Sequence, residues 1–265
     1  MAVGSDHALV VCWGAPTRSR RNAEMPDELP LNNIELLMPA NRAAVLNPVL
    51  RWLLHDMRNP VQALCMLTEL AAEPTERGGQ VNLTETLAEF CRRISTDLGL
   101  FERLLRPLPE APSPGPISIA DSIRFVAELA GKHHGAVRLD ASSLVAETLP
   151  AARGTQEHLD FTLLTLVVNS IESQGPRSGW TRLTAGTDGS VLRIQVQDDA
   201  PPVPRATLAQ LLADTSAASN LSDSAIRLIA ARSLAQRWGG ELSAVETAEG
   251  NRFDLTLPVW PRASE

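Results

Sequence analysis

Two long runs of apolar residues, spaced three and four positions apart, constrain the fold of this 265-residue chain more than any other feature. That spacing places an apolar stripe along one side of an α-helix. Breaks at Glu73-Pro74 and Gly78-Gly79 separate the two runs, so the sequence predicts a helical hairpin. The first stripe comprises Leu50, Leu53, Met57, Leu64, Leu67 and Ala71, and the second comprises Leu83, Leu87, Phe90, Ile94, Leu98, Phe101 and Leu105.

Such a hairpin has a consequence for assembly. Each helix carries one apolar stripe, and a lone hairpin buries that stripe poorly. Pairing two hairpins into a four-helix bundle buries both stripes, so we expect a homodimer.

The rest of the chain divides by composition. Residues 1–45 have scattered prolines and no sustained periodicity, which predicts a loosely ordered N-terminal arm with a short helix near 34–38. The hairpin then covers residues 46–106, and the proline-rich stretch 107–116 is a stiff linker. Residues 117–265 remain as a separate domain.

That last part has the pattern of an α/β sandwich, with helices on one side of a mixed sheet. Asp188-Gly189 is a hairpin turn, and Gly239-Gly240 ends the last helix. The predicted helices are 119–130, an amphipathic helix 157–173, and 223–238; the predicted strands are 137–139, 148–151, 181–185, 191–196, 241–245 and 253–257.

Composition excludes several classes of protein. The formal net charge of -7 argues against wholesale nucleic-acid binding. No segment approaches the roughly 20 apolar residues of a membrane span, and the N-terminal apolar stretch lacks the basic leader of a signal peptide. The chain has three cysteines, too few for a disulfide framework. Cys65 and Cys91 are predicted to be buried thiols, so we expect a cytoplasmic protein without a membrane span.

One polar segment of the first helix is a candidate for chemistry. His55 lies opposite the apolar stripe, and Asn59, one turn later, shares its exposed face. Asp56 adjoins them on the same exposed face and can hold one ring nitrogen of His55 protonated, which leaves the other as a nucleophile. By itself, an exposed histidine beside an aspartate on a helix is more often part of an ordinary solvated surface.

A second cluster lies at the end of the helix predicted at 119–130. Lys132 is the single lysine of the chain, which we attribute to coding bias, and His133 and His134 follow it. Positive groups there favour a helix cap over a metal site.

The segment His55-Asp56-Met57-Arg58-Asn59-Pro60 resembles the phosphoacceptor box of two-component sensor histidine kinases, which is His, acidic, any, Arg, Asn, Pro. Further boxes of that family follow in order, and the resemblance covers roughly residues 46–260. Residues 167–172 (VVNSIE) resemble the asparagine box, 196–204 (VQDDAPPVP) the first glycine box, 228–240 the helix after the second glycine box, and 250–258 the closing strand.

The resemblance implies a dimeric phosphoacceptor hairpin followed by a histidine kinase ATPase domain. It implies ATP and Mg²⁺ as cofactors and the receiver domain of a response regulator as partner. Asn169 would be an oxygen ligand of Mg²⁺, which prefers hard oxygen donors. Asp198 would accept a hydrogen bond from the adenine amino group.

The glycine boxes are altered in a way that predicts weak or no ATP binding. Phosphate loops need glycines whose backbone N–H groups approach the anion, yet Ala200 and Pro202 stand in the first box. Asp223, Ala225 and Arg227 stand at the glycine positions of the second, where a carboxylate would repel phosphates. Two roles stay open for Arg227: a phosphate ligand, or an ion pair with Asp223 one turn earlier.

Three functions remain. His55 exchanges phosphoryl groups with receiver aspartates, or Asn59 orients a water that removes them, as in histidine phosphotransferases whose nucleotide domain has lost its ligand. Alternatively, the chain is an ATP-dependent histidine autokinase in which Asp56 is the orienting base. The third function is a non-enzymatic scaffold that binds a receiver or another kinase. The intact box at His55 beside altered phosphate loops favours the first.

Overall fold

A computed structural model describes residues 34–72, 83–109, 113–133, 137–140, 149–175, 179–202 and 223–261. The helices are α1 Ile34–Ala72, α2 Leu83–Leu105, α3 Ile119–Gly131, α4 Gln156–Ser173 and α5 Asp223–Arg237. The strands are β1 Gly115–Ile117, β2 Val137–Asp140, β3 Ala152–Gly154, β4 Gly179–Asp188, β5 Val191–Asp198, β6 Glu241–Thr247 and β7 Gly250–Pro258. Two long helices therefore precede an α/β sandwich, as predicted. No helix in this described part of the chain is long and apolar enough to cross a membrane.

Helix α1 begins at Ile34, earlier than predicted, and includes Pro39, Pro48 and Pro60. Residues 34–45 are thus helical rather than loosely ordered, and the short helix predicted near 34–38 is the beginning of this longer helix. Proline removes a helix hydrogen bond, so packing must stabilise this segment. Val45 and Val49 supply that packing, because both are fully buried. Residues 1–33 and the predicted break at 73–82 lie outside the described residues.

The main sheet is mixed and has the order β2-β4-β5-β7-β6. Strand β2 runs parallel to β4, and the other neighbours are antiparallel. Gly189 has a φ of 62° in the turn between β4 and β5, where a side chain would be strained, which confirms the predicted hairpin. Alternate residues of β5 are buried beneath the helices, including Leu192, Ile194 and Val196.

A second, two-stranded sheet corrects two boundaries. Strand β1 pairs with β3, so Gly115 and Pro116, predicted to end the linker, belong to a strand. The strand predicted at 148–151 begins later, at Ala152. Short extended segments without a strong alternating pattern give the sequence little to fix these ends.

Helix α4 is buried on all sides, which corrects the prediction of an amphipathic helix. Every residue from His158 to Ile171 is buried, because α4 contacts both the sheet and the helices α1, α3 and α5. His158 is held in this interior beside Thr155, with 2.6 Å between Nδ1 and Oγ1. Burial, assisted by the nearby Arg237, lowers the pKa of His158 to about 4, so its ring is neutral at pH 7.

The hydrophobic core continues from the hairpin into the sandwich. Leu53 of α1 and Leu100 and Leu104 of α2 join the same cluster of buried residues as the sandwich interior. Asp160 of α4 adds a polar link, accepting hydrogen bonds from Arg103 Nε at 2.7 Å and Nη2 at 2.8 Å. The hairpin and the sandwich thus share one hydrophobic core. Their division into two domains, residues 46–106 and 117–265, stays a prediction.

The second apolar stripe departs from its prediction at Leu98 and Leu105, whereas its other described members are half-buried. Leu98 and Leu105 are 49 % and 46 % exposed, whereas Leu100 and Leu104 are buried, because these two face the sandwich. Cys65 and Cys91 are exposed in the single chain, so the prediction of buried thiols was wrong there.

Helix α1, like α2, has exposed apolar residues, with Leu54 59 % and Val61 46 % exposed. One side of the hairpin thus buries apolar residues against the sandwich, and another leaves them exposed.

Candidate functional site

His55 and Asn59 lie one turn apart on α1, and both are exposed. Leu53, on the opposite side of the helix, is fully buried in the core. The predicted register of α1 is therefore confirmed for these residues. A histidine in this position is accessible to a second macromolecule.

Asp56 differs from the prediction, because it is buried with 4 % exposure. Its Oδ1 accepts a hydrogen bond from Arg93 Nη2 of α2 at 2.7 Å, and its Oδ2 accepts one from Lys132 Nζ at 2.8 Å. Position 56 is rotated about 100° from position 55, which turns it away from the His55 face toward α2 and the end of α3. Burial tends to raise the pKa of Asp56, but the hydrogen bonds and charges of Lys132 and Arg93 outweigh burial and lower it.

Lys132 also contacts a second buried carboxylate. Its Nζ lies 2.6 Å from Oδ1 of Asp97, a residue of α2 that is fully buried. Burial tends to lower the pKa of Lys132, but hydrogen bonds to Asp56 and Asp97 outweigh it and raise that pKa. The next residue, His133, packs edge-on against Trp52 of α1, with 4.9 Å between ring centroids. The end of α3 is therefore a contact with the hairpin, where sequence predicted only a helix cap.

Asn169 and Asp198 are both buried in the sandwich, with 3 % and 1 % exposure. Oδ1 of Asp198 accepts hydrogen bonds from the backbone N–H of Ala200 at 3.0 Å and from Asn251 Nδ2 at 3.1 Å. Oδ2 of Asp198 and Oδ1 of Asn169 have no hydrogen-bond partner among the described residues. Two buried acceptor oxygens without hydrogen-bond partners among the described residues suit a ligand that donates hydrogen bonds or carries positive charge.

Asn251 was missed by sequence reasoning. It lies directly opposite Asp198 in the pairing of β5 with β7 and also donates to the carbonyl of Pro201 at 3.3 Å. Asn251 precedes the strand predicted at 253–257, and an asparagine in that position carries no signal by itself. The register of β7 against β5 would have been needed to find it.

The residues predicted at the phosphate side make other contacts in the structure. Arg227 is 3 % exposed; its Nη2 lies 2.6 Å from Glu172 Oε2 and donates to the carbonyl of Ala44 at 3.1 Å. Its guanidinium is therefore directed toward α4 and α1, and the side chain of Asp223 lies outside the described part. In the first box, the N–H of Ala200 donates to Asp198, and Pro202 has none to donate.

Metal binding has little support from the same residues. Within the described ranges, no group of three or more His, Cys, Asp or Glu side chains is arranged to hold a metal ion. Asn169 supplies one neutral oxygen, which is a weak ligand set for Mg²⁺ without further oxygens from a bound phosphate. Among the described residues, Asn169 and Asp198 therefore offer buried acceptors that suit a ligand with an amino group.

One known family matches most of the sandwich. Residues 154–261 match the family model described as histidine kinase-, DNA gyrase B-, and HSP90-like ATPase. The matched range contains Asn169, Asp198 and Asn251, whereas His55 lies outside it. No curated protein matches the chain.

Solved structures of histidine kinases are similar to the chain. The catalytic domain of histidine kinase ThkA is 18 % identical, with 57 % of this chain and 100 % of that chain covered and a TM-score of 0.47. The mycobacterial sensor histidine kinase MprB is 16 % identical, with 56 % of this chain and 100 % of that chain covered and a TM-score of 0.45. Full-length ShkA in complex with AMPPNP is 20 % identical, with 82 % of this chain and 47 % of that chain covered and a TM-score of 0.46.

Proposed function

We propose, from the premise that residues 154–261 belong to the histidine kinase-, DNA gyrase B- and HSP90-like ATPase family, that this chain is a two-component signalling protein. In this proposal His55 receives a phosphoryl group from the aspartate of one receiver domain and passes it to another. Asn59 orients a water when the phosphoryl group is removed instead. The observation that carries the proposal is the exposure of His55 and Asn59, one turn apart, on a helix whose opposite side is buried.

The transfer requires a neutral imidazole. One ring nitrogen of His55 attacks the phosphorus of the aspartyl phosphate, and the other keeps its proton. The bond between phosphorus and the aspartate oxygen breaks, and the carboxylate leaves with the electron pair. Transfer to a second receiver aspartate is the same step in reverse.

We expect nucleotide binding by the sandwich to be weak or absent, because Arg227 is paired with Glu172 and Pro202 has no N–H to offer a phosphate. Millimolar MgATP at a micromolar site would stabilise the fold by about 4 kcal/mol. Differential scanning fluorimetry with MgATP should therefore show little or no rise in the melting temperature. A rise of several degrees that Asp198→Asn removes would contradict this expectation.

One observation favours a second function, that of an ATP-dependent autokinase. Oδ2 of Asp198 and Oδ1 of Asn169 are buried and lack partners among the described residues, as expected of a site that takes a ligand. Asp198 would then bind the amino group of adenine, and Asn169 would bind Mg²⁺. ATP would supply the phosphoryl group, and His55 would remain its acceptor.

We expect the chain to be a dimer that pairs through the exposed apolar side of the hairpin. Leu98→Glu should convert the dimer to a monomer at tens of micromolar in sedimentation equilibrium, because it would bury a charge in the interface. Val191→Glu is the matched control, since Val191 is an exposed apolar residue of the sandwich, at 38 % exposure, outside the hairpin. A wild-type monomer, or equal effects of both variants, would contradict the assignment.

Two labelling reactions test the proposed function. The purified chain is incubated with radiolabelled ATP and, separately, with receiver domains phosphorylated on aspartate, and acid-labile, alkali-stable label is counted. Label from the receiver alone supports phosphotransfer, and label from ATP alone supports the autokinase. Receiver binding without label from either donor would support a scaffold and overturn both.

A further inference from the structure

We propose that a cavity between the hairpin and the sandwich is a binding site for a small carboxylate with an apolar body. The cavity has a volume of about 510 Å³ and lies where the beginning of α1 and the residues just after α2 meet α4 and α5. It is called the α1–α5 cavity below. Its described lining includes neither the phosphoacceptor nor the two buried acceptors of the sandwich, so this site is separate from those of the proposed function.

The size and the apolar part of the α1–α5 cavity suit a small organic molecule. Ligand pockets commonly measure about 300 to 1,000 Å³, occur often at domain interfaces, and are lined mostly by apolar side chains with a few polar ones. The apolar lining residues are Met38, Pro39, Leu108, Pro109 and Leu234. They belong to both the hairpin side and the sandwich side, so a bound molecule would contact both.

The charged part of the cavity favours an anion. Arg42 and Arg237 line it, and no carboxylate is among its described lining residues. Nη2 of Arg42 donates to the carbonyls of Leu105 at 3.0 Å and Arg106 at 2.8 Å, which fixes this guanidinium beside the cavity. A guanidinium that is held in place binds a carboxylate through charge-assisted hydrogen bonds.

His158 adds a buried polar group to the wall of the cavity. It is 2 % exposed, its Nδ1 lies 2.6 Å from Thr155 Oγ1, and its ring packs edge-on against Trp238. Burial, assisted by Arg237, keeps the pKa of His158 at about 4, so the ring is neutral at pH 7. Because Nδ1 is engaged, a ligand would hydrogen-bond this ring through Nε2.

Neighbouring carboxylates do not cancel the positive charge. Glu157 and Asp160 line a small adjoining cavity, which Arg42 also lines. Asp160 is bound by Arg103 through two hydrogen bonds. Of these two described carboxylates, Glu157 is thus the one that opposes the two guanidinium groups. The region keeps a net positive charge, which a carboxylate complements.

The test titrates the full chain with sodium octanoate in an isothermal titration calorimeter. Two matched probes separate the apolar body from the charge: octanol has the same chain length without the charge, and inorganic phosphate has charge without the chain. We expect octanoate to bind about tenfold or more tightly than either probe, because it alone satisfies both parts of the cavity. It should also raise the melting temperature, since a ligand that binds only the folded chain stabilises it.

Two variants locate the binding. Arg237→Gln removes an exposed charge, so the fold should persist while octanoate affinity falls about fivefold. Met38→Trp fills part of the apolar wall and should weaken binding by at least as much. Arg193→Gln is the matched control, because Arg193 is also an exposed arginine but lies on the face of β5 away from the helices. Its octanoate affinity should equal that of the wild type.

Several results would overturn the proposal. Equal affinity for octanol would indicate a site for neutral apolar molecules, and equal affinity for phosphate would indicate attraction of any anion. Equal weakening in Arg193→Gln would indicate binding by surface charge in general. No binding of octanoate, as expected where another part of the chain fills the cavity, would also overturn it. None of these measurements requires phosphoryl transfer, so failure of the proposed function would be seen separately.

Discussion

His55→Ala is expected to abolish phosphoryl uptake from a phosphorylated receiver while leaving the fold and the dimer unchanged. The imidazole is exposed on α1, so its removal should change the free energy of unfolding by no more than about 0.5 kcal/mol. No other residue that the proposal places at the transfer step can form the bond to phosphorus, because the Asn59 amide is not a nucleophile. The measurement is acid-labile label on the protein after incubation with the receiver, together with the melting temperature.

Gln62→Ala is the matched control for this variant, since Gln62 is also an exposed polar residue of α1, further along the helix. It should keep both uptake and stability. Asp56→Ala is not a suitable control, because it would leave Lys132 and Arg93 without their shared carboxylate. Loss of several kcal/mol of stability in His55→Ala would show that the ring is buried and would overturn the assigned register of α1.

The sequence predicted those features that depend on local patterns. The spacing of Leu50, Leu53 and Met57 indicated which side of α1 faces the interior, and this side is the one that packs. Gly189 and Gly239 marked a turn and a helix end, and both adopt the positive φ that glycine permits. Such signals are contained within a few neighbouring residues, so they are visible without the tertiary structure.

Features that depend on distant contacts were not visible. Asp56 and Lys132 are 76 positions apart in the sequence, and their pairing follows from the docking of α3 on the hairpin. A local signal did exist in Asp97, which lies three positions after Ile94 and three before Leu100, on the stripe that packs. A carboxylate on a buried stripe requires a partner, although its spacing cannot identify which one. Asn251 was hidden for the same reason, because only strand register places it beside Asp198.

Docking of the hairpin on the sandwich also depends on Asp160. This carboxylate of α4 is 6 % exposed and accepts two hydrogen bonds from Arg103 of α2 and one from Ser122 Oγ of α3 at 2.6 Å. Replacing it would leave a guanidinium that is 27 % exposed without its carboxylate partner, directly over the ring of Phe125 at 4.2 Å. A buried ion pair broken on one side is strongly destabilising.

Asp160→Ala is therefore expected to lower the free energy of unfolding by about 3 to 5 kcal/mol, measured by urea denaturation. Arg124→Ala is the matched control, because Arg124 and Asp121 form an ion pair whose side chains are 68 % and 51 % exposed. That exposed pair should contribute less than about 1 kcal/mol, since water competes for both charges. Hydrogen exchange should also show faster opening of α2 in Asp160→Ala, because Arg103 joins α2 to α4. Equal losses in the two variants would mean that the hairpin is held on the sandwich by its apolar contacts alone.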